Sequence, residues 1–73
     1  MKEFKLHIPE ETITIKPEWQ WKPEPIENSW IYYYRRGNKC FFRHKTIGMK
    51  ISIICKSYLK LRRGEEYEIS FEW

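Results

Sequence analysis

The chain contains no alanine. It also lacks valine and aspartate, while isoleucine, lysine, glutamate, tyrosine and phenylalanine are abundant among its 73 residues. Alanine is the strongest helix former, and the β-branched and aromatic residues that stand in its place favour a pleated, half-buried surface. The composition therefore predicts strands along nearly the whole sequence. Hydrophobic residues make up 41% and charged residues 33%, the balance of a folded domain and not of a disordered chain. A chain this short buries only roughly 60% of its unfolded surface, which leaves one small core and little material for a deep catalytic pocket. Residues 1–73 are accordingly read as a single small β domain.

Alternation locates the strands. Phe4, Leu6 and Ile8 alternate with Lys5 and His7, and Ile13 and Ile15 alternate with Thr12, Thr14 and Lys16, each a half-buried pattern of period two. Pairing Ile8 with Ile13 closes them into a hairpin with a four-residue loop. Residues 17–29 hold Pro17, Pro23 and Pro25 together with Trp19 and Trp21, which predicts an irregular, proline-stiffened connection. Gly37-Asn38 then separates the strand-like runs 30–36 and 39–45, a two-residue loop of the kind tight hairpins favour. This register sets Arg35 against Cys40, Tyr34 against Phe41, Tyr33 against Phe42, Tyr32 against Arg43 and Trp30 against Lys45. After Gly48, a loop pairing Lys45 with Lys50 matches Phe42 with Ile53 and Cys40 with Cys55.

A turn at Gly64 would set Arg62 against Glu66, Leu61 against Tyr67, Lys60 against Glu68, Leu59 against Ile69 and Lys56 against Glu72. One face of that pair is apolar, and the other is a ladder of opposite charges. Phe71 and Trp73 continue the apolar face, so the last strand is expected to be docked to its end. The sum is an all-β meander of about six antiparallel strands, with little or no helix, forming a barrel or two-layer sandwich. In architecture it resembles the SH3-like and OB-like small barrels, a likeness that carries no function.

The net charge of +4 conceals an uneven distribution. Residues 1–29 carry a net −2, residues 30–63 carry ten basic side chains and no acidic one, and residues 64–73 carry four glutamates. The registers above leave the basic block beside an aromatic face. Ile31, Tyr33, Cys40, Phe42, Ile51, Ile53 and Cys55 would form the core side of the central sheet. Trp30, Tyr32, Tyr34, Phe41, Arg43, Lys45, Lys50, Ser52, Ile54 and Lys56 would form the other. Aromatic rings interleaved with Lys and Arg are what single-stranded nucleic-acid platforms use, the rings stacking on bases and the cations meeting phosphates. The expected interface is thus Trp30, Tyr32, Tyr34 and Phe41 for stacking, with Arg35, Arg36, Lys39, Arg43, Lys45 and Lys50 for phosphate. The competing reading covers the same rings with Trp19 and Trp21 as a second core layer.

Catalytic chemistry finds no support in the pattern. There is no aspartate, and His7 and His44 have no Ser or Cys at a spacing that suggests a triad. Gly37, Gly48 and Gly64 are each assigned to turns, which leaves no glycine loop for a nucleotide phosphate. Cys40 and His44 are four strand positions apart, about 13 Å, too far to share one metal ion. The two cysteines are expected as buried free thiols, with a cross-strand disulfide the alternative in an oxidising setting.

No apolar stretch reaches the roughly 20 residues of a membrane helix, and no signal-peptide pattern opens the sequence. The expectation is a non-enzymatic cytoplasmic protein without cofactor or metal, whose partner is nucleic acid, single-stranded by preference, and not a membrane. The alternative is a small inhibitor or regulator, encoded by a virus or mobile element, that binds a host protein through the same face. A metal-independent RNA-cleaving toxin ranks third. Exposed aromatics and sheet edges also leave homodimerisation open.

Overall fold

All six strands are antiparallel and join a single sheet. The computed structural model describes residues 3–15 and 28–71. The strands are β1 (Phe4–Ile8), β2 (Glu11–Ile15), β3 (Asn28–Arg36), β4 (Lys39–His44), β5 (Lys50–Ile54) and β6 (Glu66–Phe71), with no helix among the described residues. Their order across the sheet is β2-β1-β6-β3-β4-β5. The sheet is not closed, because β2 and β5 remain its two edges. The all-β class is as the composition predicts. Residues 17–27, with Trp19 and Trp21, lie outside the described residues, as do Glu72 and Trp73.

Local turn chemistry explains where each hairpin reverses. Gly37 takes a positive φ of 64°, a backbone state open to glycine at no steric cost. The two-residue turn sets Arg36 against Lys39, Arg35 against Cys40 and Tyr34 against Phe41, as the sequence predicts. The β4–β5 loop is closed by His44, whose amide donates to the Met49 carbonyl at 2.6 Å. Its ring Nδ1 accepts from the amides of Thr46 (3.1 Å) and Ile47 (3.3 Å). His44 is therefore a buried turn staple.

Several expected registers are corrected. The β1–β2 turn is two residues long, so Leu6 faces Ile13 and Ile8 faces Glu11. Cys40 faces Ile53 and Phe42 faces Ile51 across β4–β5, with Cys55 beyond the strand end. Both are slips of two residues, which leave every side chain on its expected face.

The glutamate ladder does not form. Residues 55–65 are not a strand, and β6 runs between β1 and β3, setting Leu6 against Ile69 and Trp30 against Tyr67. A central position hydrogen-bonds β6 on both sides and buries Tyr67, Ile69 and Phe71, whereas pairing with 56–62 would have left it one neighbour.

The consequential correction is a one-residue bulge in β3. Tyr32 faces Phe42 and Tyr34 faces Phe41, so Tyr33 is the extra residue between them. An extra residue reverses the in–out alternation beyond it. Trp30 and Tyr32 therefore turn into the core, while Ile31 and Tyr33 turn out of it. Trp30 is fully buried, with its ring edge-on to His44 at 4.9 Å and to Phe71 at 6.4 Å. It belongs to one core cluster with Phe4, Leu6, Phe42, Ile53 and Ile69, to which the 55–65 connection adds Leu59.

Candidate nucleic-acid interface

The face opposite the core is where the basic block meets the aromatic rings. On β3 it carries Ile31, Tyr33, Tyr34 and Arg36, on β4 Lys39, Phe41 and Arg43, and on β5 Lys50, Ser52 and Ile54. This alternation follows from the observed registers and from the burial of the intervening residues. The sequence supplies no acidic side chain between residues 30 and 63, so this half of the sheet presents cations alone.

Two aromatic contacts organise the surface. Tyr34 and Phe41, directly opposed across β3 and β4, stack with ring centroids 4.6 Å apart and an interplanar angle of 13°. Tyr34 is 46% exposed, which leaves part of the stacked pair open to solvent. The Arg43 guanidinium lies over the Tyr33 ring, 5.1 Å from its centroid, within cation–π range. The bulge creates this second contact by turning Tyr33 outward beside Tyr34. Sequence reasoning missed Tyr33 because no glycine or proline marks the bulge.

Of the ten expected interface residues, six share this face: Tyr34, Arg36, Lys39, Phe41, Arg43 and Lys50. Three of the others are turned to the core side, and the fourth, Lys45, is held in an ion pair. Trp30 and Tyr32 are buried in the core by the reversal at the bulge. Arg35 points to the core side with Cys40. Its guanidinium donates to the carbonyls of Leu59 (3.2 Å) and Lys56 (3.5 Å), tying the 55–65 connection to the sheet. Lys45 pairs with Glu66 at 2.9 Å. The Ser29 hydroxyl and the Lys45 ammonium both hydrogen-bond to the Glu66 carboxylate and hold it below its usual pKa. This ion pair sits at the margin where β6 brings its glutamates toward β3.

Two further polar features lie elsewhere. His7 Nε2 is 3.3 Å from the Ser70 hydroxyl and His7 Nδ1 is 3.2 Å from the Thr12 hydroxyl. Both hydroxyls can donate or accept, which makes this a polar bridge across β2, β1 and β6. A groove of about 370 Å³ runs between the β1–β2 turn and the 58–62 connection. It is lined by Glu10, Glu11 and Glu65 as well as Lys60 and Arg62, a mixture with no net attraction for an anion. Comparison with protein-family models, curated proteins and solved structures returns no match.

Proposed function

We propose that the protein binds single-stranded nucleic acid on the outer face of β3, β4 and β5. The observation that carries this reading is the stacked, part-exposed Tyr34–Phe41 pair set among Arg36, Lys39, Arg43 and Lys50. Bases stack on such rings for about 1–3 kcal/mol each without sequence preference, while the flanking cations neutralise phosphates. A flat, open surface suits unpaired bases, whose faces are free to stack. No step of bond making is involved, and the proposed activity is binding alone.

Four phosphate-facing cations imply a definite salt response. Counterion release from a single strand gives a slope of log K against log salt of about −3 for four contacts. Titrating labelled single-stranded RNA and DNA oligonucleotides at several salt concentrations measures it. A slope near that value, with weaker binding to duplex, supports the proposal. Absence of binding at low salt overturns it.

Phe41→Ala supplies a second readout, because removal of one stacking ring should weaken binding by about 1–3 kcal/mol in a protein that still unfolds cooperatively. Unchanged affinity in that folded variant would exclude the Tyr34–Phe41 pair as the platform.

A further inference from the structure

A buried polar cluster on the core side of the sheet is not used by the proposed interface. Cys40, on β4, is fully buried, and Cys55, just beyond the end of β5, is almost so. Cys40 stands directly opposite Arg35 across β3 and β4 and opposite Ile53 across β4 and β5, which makes the core-side Cys55, two residues past Ile53, its diagonal neighbour. Two neighbouring thiols with a cation opposite one of them are the arrangement that dithiol oxidation requires: an activated attacking sulfur and a second sulfur that a local movement brings to it.

The two thiols are not equivalent. Donation from Cys55 and from Arg35 favours the Cys40 thiolate over the opposing effect of burial and brings Cys40 down to about 7. Cys55 moves the other way, because its hydrogen bond to Cys40 and its burial favour the protonated form. Position supports the same division. Cys40 is fixed in mid-sheet opposite Ile53, a diagonal neighbour of Cys55. Cys55 keeps one backbone bond, from its amide to the Asn38 carbonyl at 2.8 Å, and leads into the strandless 55–65 connection. Both sulfurs are buried, so a small oxidant would reach them by local opening of that connection, which has no strand partner along its length.

We propose that Cys40 and Cys55 form a redox site oxidised by hydrogen peroxide and reduced again by dithiols, with Cys40 as the attacking sulfur and Cys55 as the resolving one. The Cys40 thiolate attacks one peroxide oxygen, the O–O bond breaks and hydroxide leaves, so that Cys40 is oxidised to a sulfenic acid as the peroxide is reduced. Cys55 then gives up its proton, its sulfur bonds to that of Cys40, and the S–O bond breaks to release water. Two thiols and one peroxide become one disulfide and two waters. The diagonal placement requires residue 55 to move toward β4, which its place past the strand end allows.

The test treats the reduced full-length protein with hydrogen peroxide, traps remaining thiols with N-ethylmaleimide, and reads intact and peptide masses. The expected product is monomeric, lighter by two hydrogens, linked Cys40 to Cys55 and restored by dithiothreitol. In Cys55→Ser, which leaves Arg35 opposite Cys40, dimedone should capture a sulfenic acid at Cys40. In Cys40→Ser, Cys55 should react at least about tenfold more slowly near neutral pH, because it stays protonated. Sulfinic acid without disulfide, intermolecular dimers as the main product, equal rates at the two sulfurs, or no reaction overturns the proposal. Should either serine variant fail to fold, the product formed by the unsubstituted protein decides the question alone.

Discussion

Trp30→Ala and Tyr34→Ala form the sharpest pair of perturbations. The two residues are four apart on one strand, and an unbroken alternation would place them on the same face. The bulge at Tyr33 puts them on opposite ones. Trp30 is fully buried against His44 and Phe71, and truncating such a ring costs about 3–5 kcal/mol. A 73-residue domain has only about 4–11 kcal/mol of total stability, so the variant should stand at the edge of unfolding. At about 4–8 °C per kcal/mol for a domain of this size, its Tm should fall by at least about 12 °C. Tyr34 is 46% exposed and stacks on Phe41, so its loss should cost about 0.5–1.5 kcal/mol. Urea titration followed by far-ultraviolet circular dichroism measures both. Equal losses, or a Trp30→Ala variant within about 0.5 kcal/mol of the parent, would refute the bulge and every face assignment in β3 N-terminal to it.

Other expectations follow from single contacts. Arg35→Met removes the tie to the Leu59 and Lys56 carbonyls and should cost about 1.5–3 kcal/mol; Arg36→Met, at an exposed position, should leave the urea midpoint nearly unchanged. Lys45→Ala breaks an ion pair exposed on both sides and should leave the urea midpoint nearly unchanged, with still less effect at high salt. Ultraviolet thiolate absorbance should show one thiol titrating at about 7, below its ordinary value of 9.0. Since the folded state lowers this value, Cys40 adds stability above pH 9 that is lost as pH falls through about 7. A first thiol midpoint at or above the ordinary value would contradict the Cys40–Arg35–Cys55 contact.

The limits of the sequence reading have identifiable physical causes. The Gly37-Asn38 turn was legible because a two-residue loop fixes the register of its nearest pairs, and Arg36–Lys39 through Tyr34–Phe41 follow directly. The β1–β2 and β4–β5 pairings slipped by two because Pro9-Glu10 and residues 45–48 admit several loop lengths. The faces of Leu6, Ile13, Phe42 and Ile53 survived, since an even slip preserves alternation. The bulge at Tyr33 is an odd change, and the run of tyrosines around it offers no local mark. Trp30 and Tyr32 were thus placed on the wrong face while Tyr34 and Phe41 were placed on the right one.

The pairing of 56–62 with 66–72 failed for a different reason. Leu59 and Leu61 among Lys56, Lys60 and Arg62 imitate a strand, and nothing local says that β6 gains more by lying between β1 and β3. The Cys40–Arg35–Cys55 cluster depends on three segments meeting, which no spacing in the sequence encodes.

The location of the interface is tested most directly by recording amide and aromatic-ring NMR shifts while a short single-stranded oligonucleotide is added at low salt. The account predicts that the perturbed signals will be those of Tyr33, Tyr34, Arg36, Lys39, Phe41, Arg43 and Lys50, with Trp30 and the groove-lining Glu10, Tyr58 and Arg62 unmoved. Perturbations centred on that groove, or none at any oligonucleotide concentration, would contradict it.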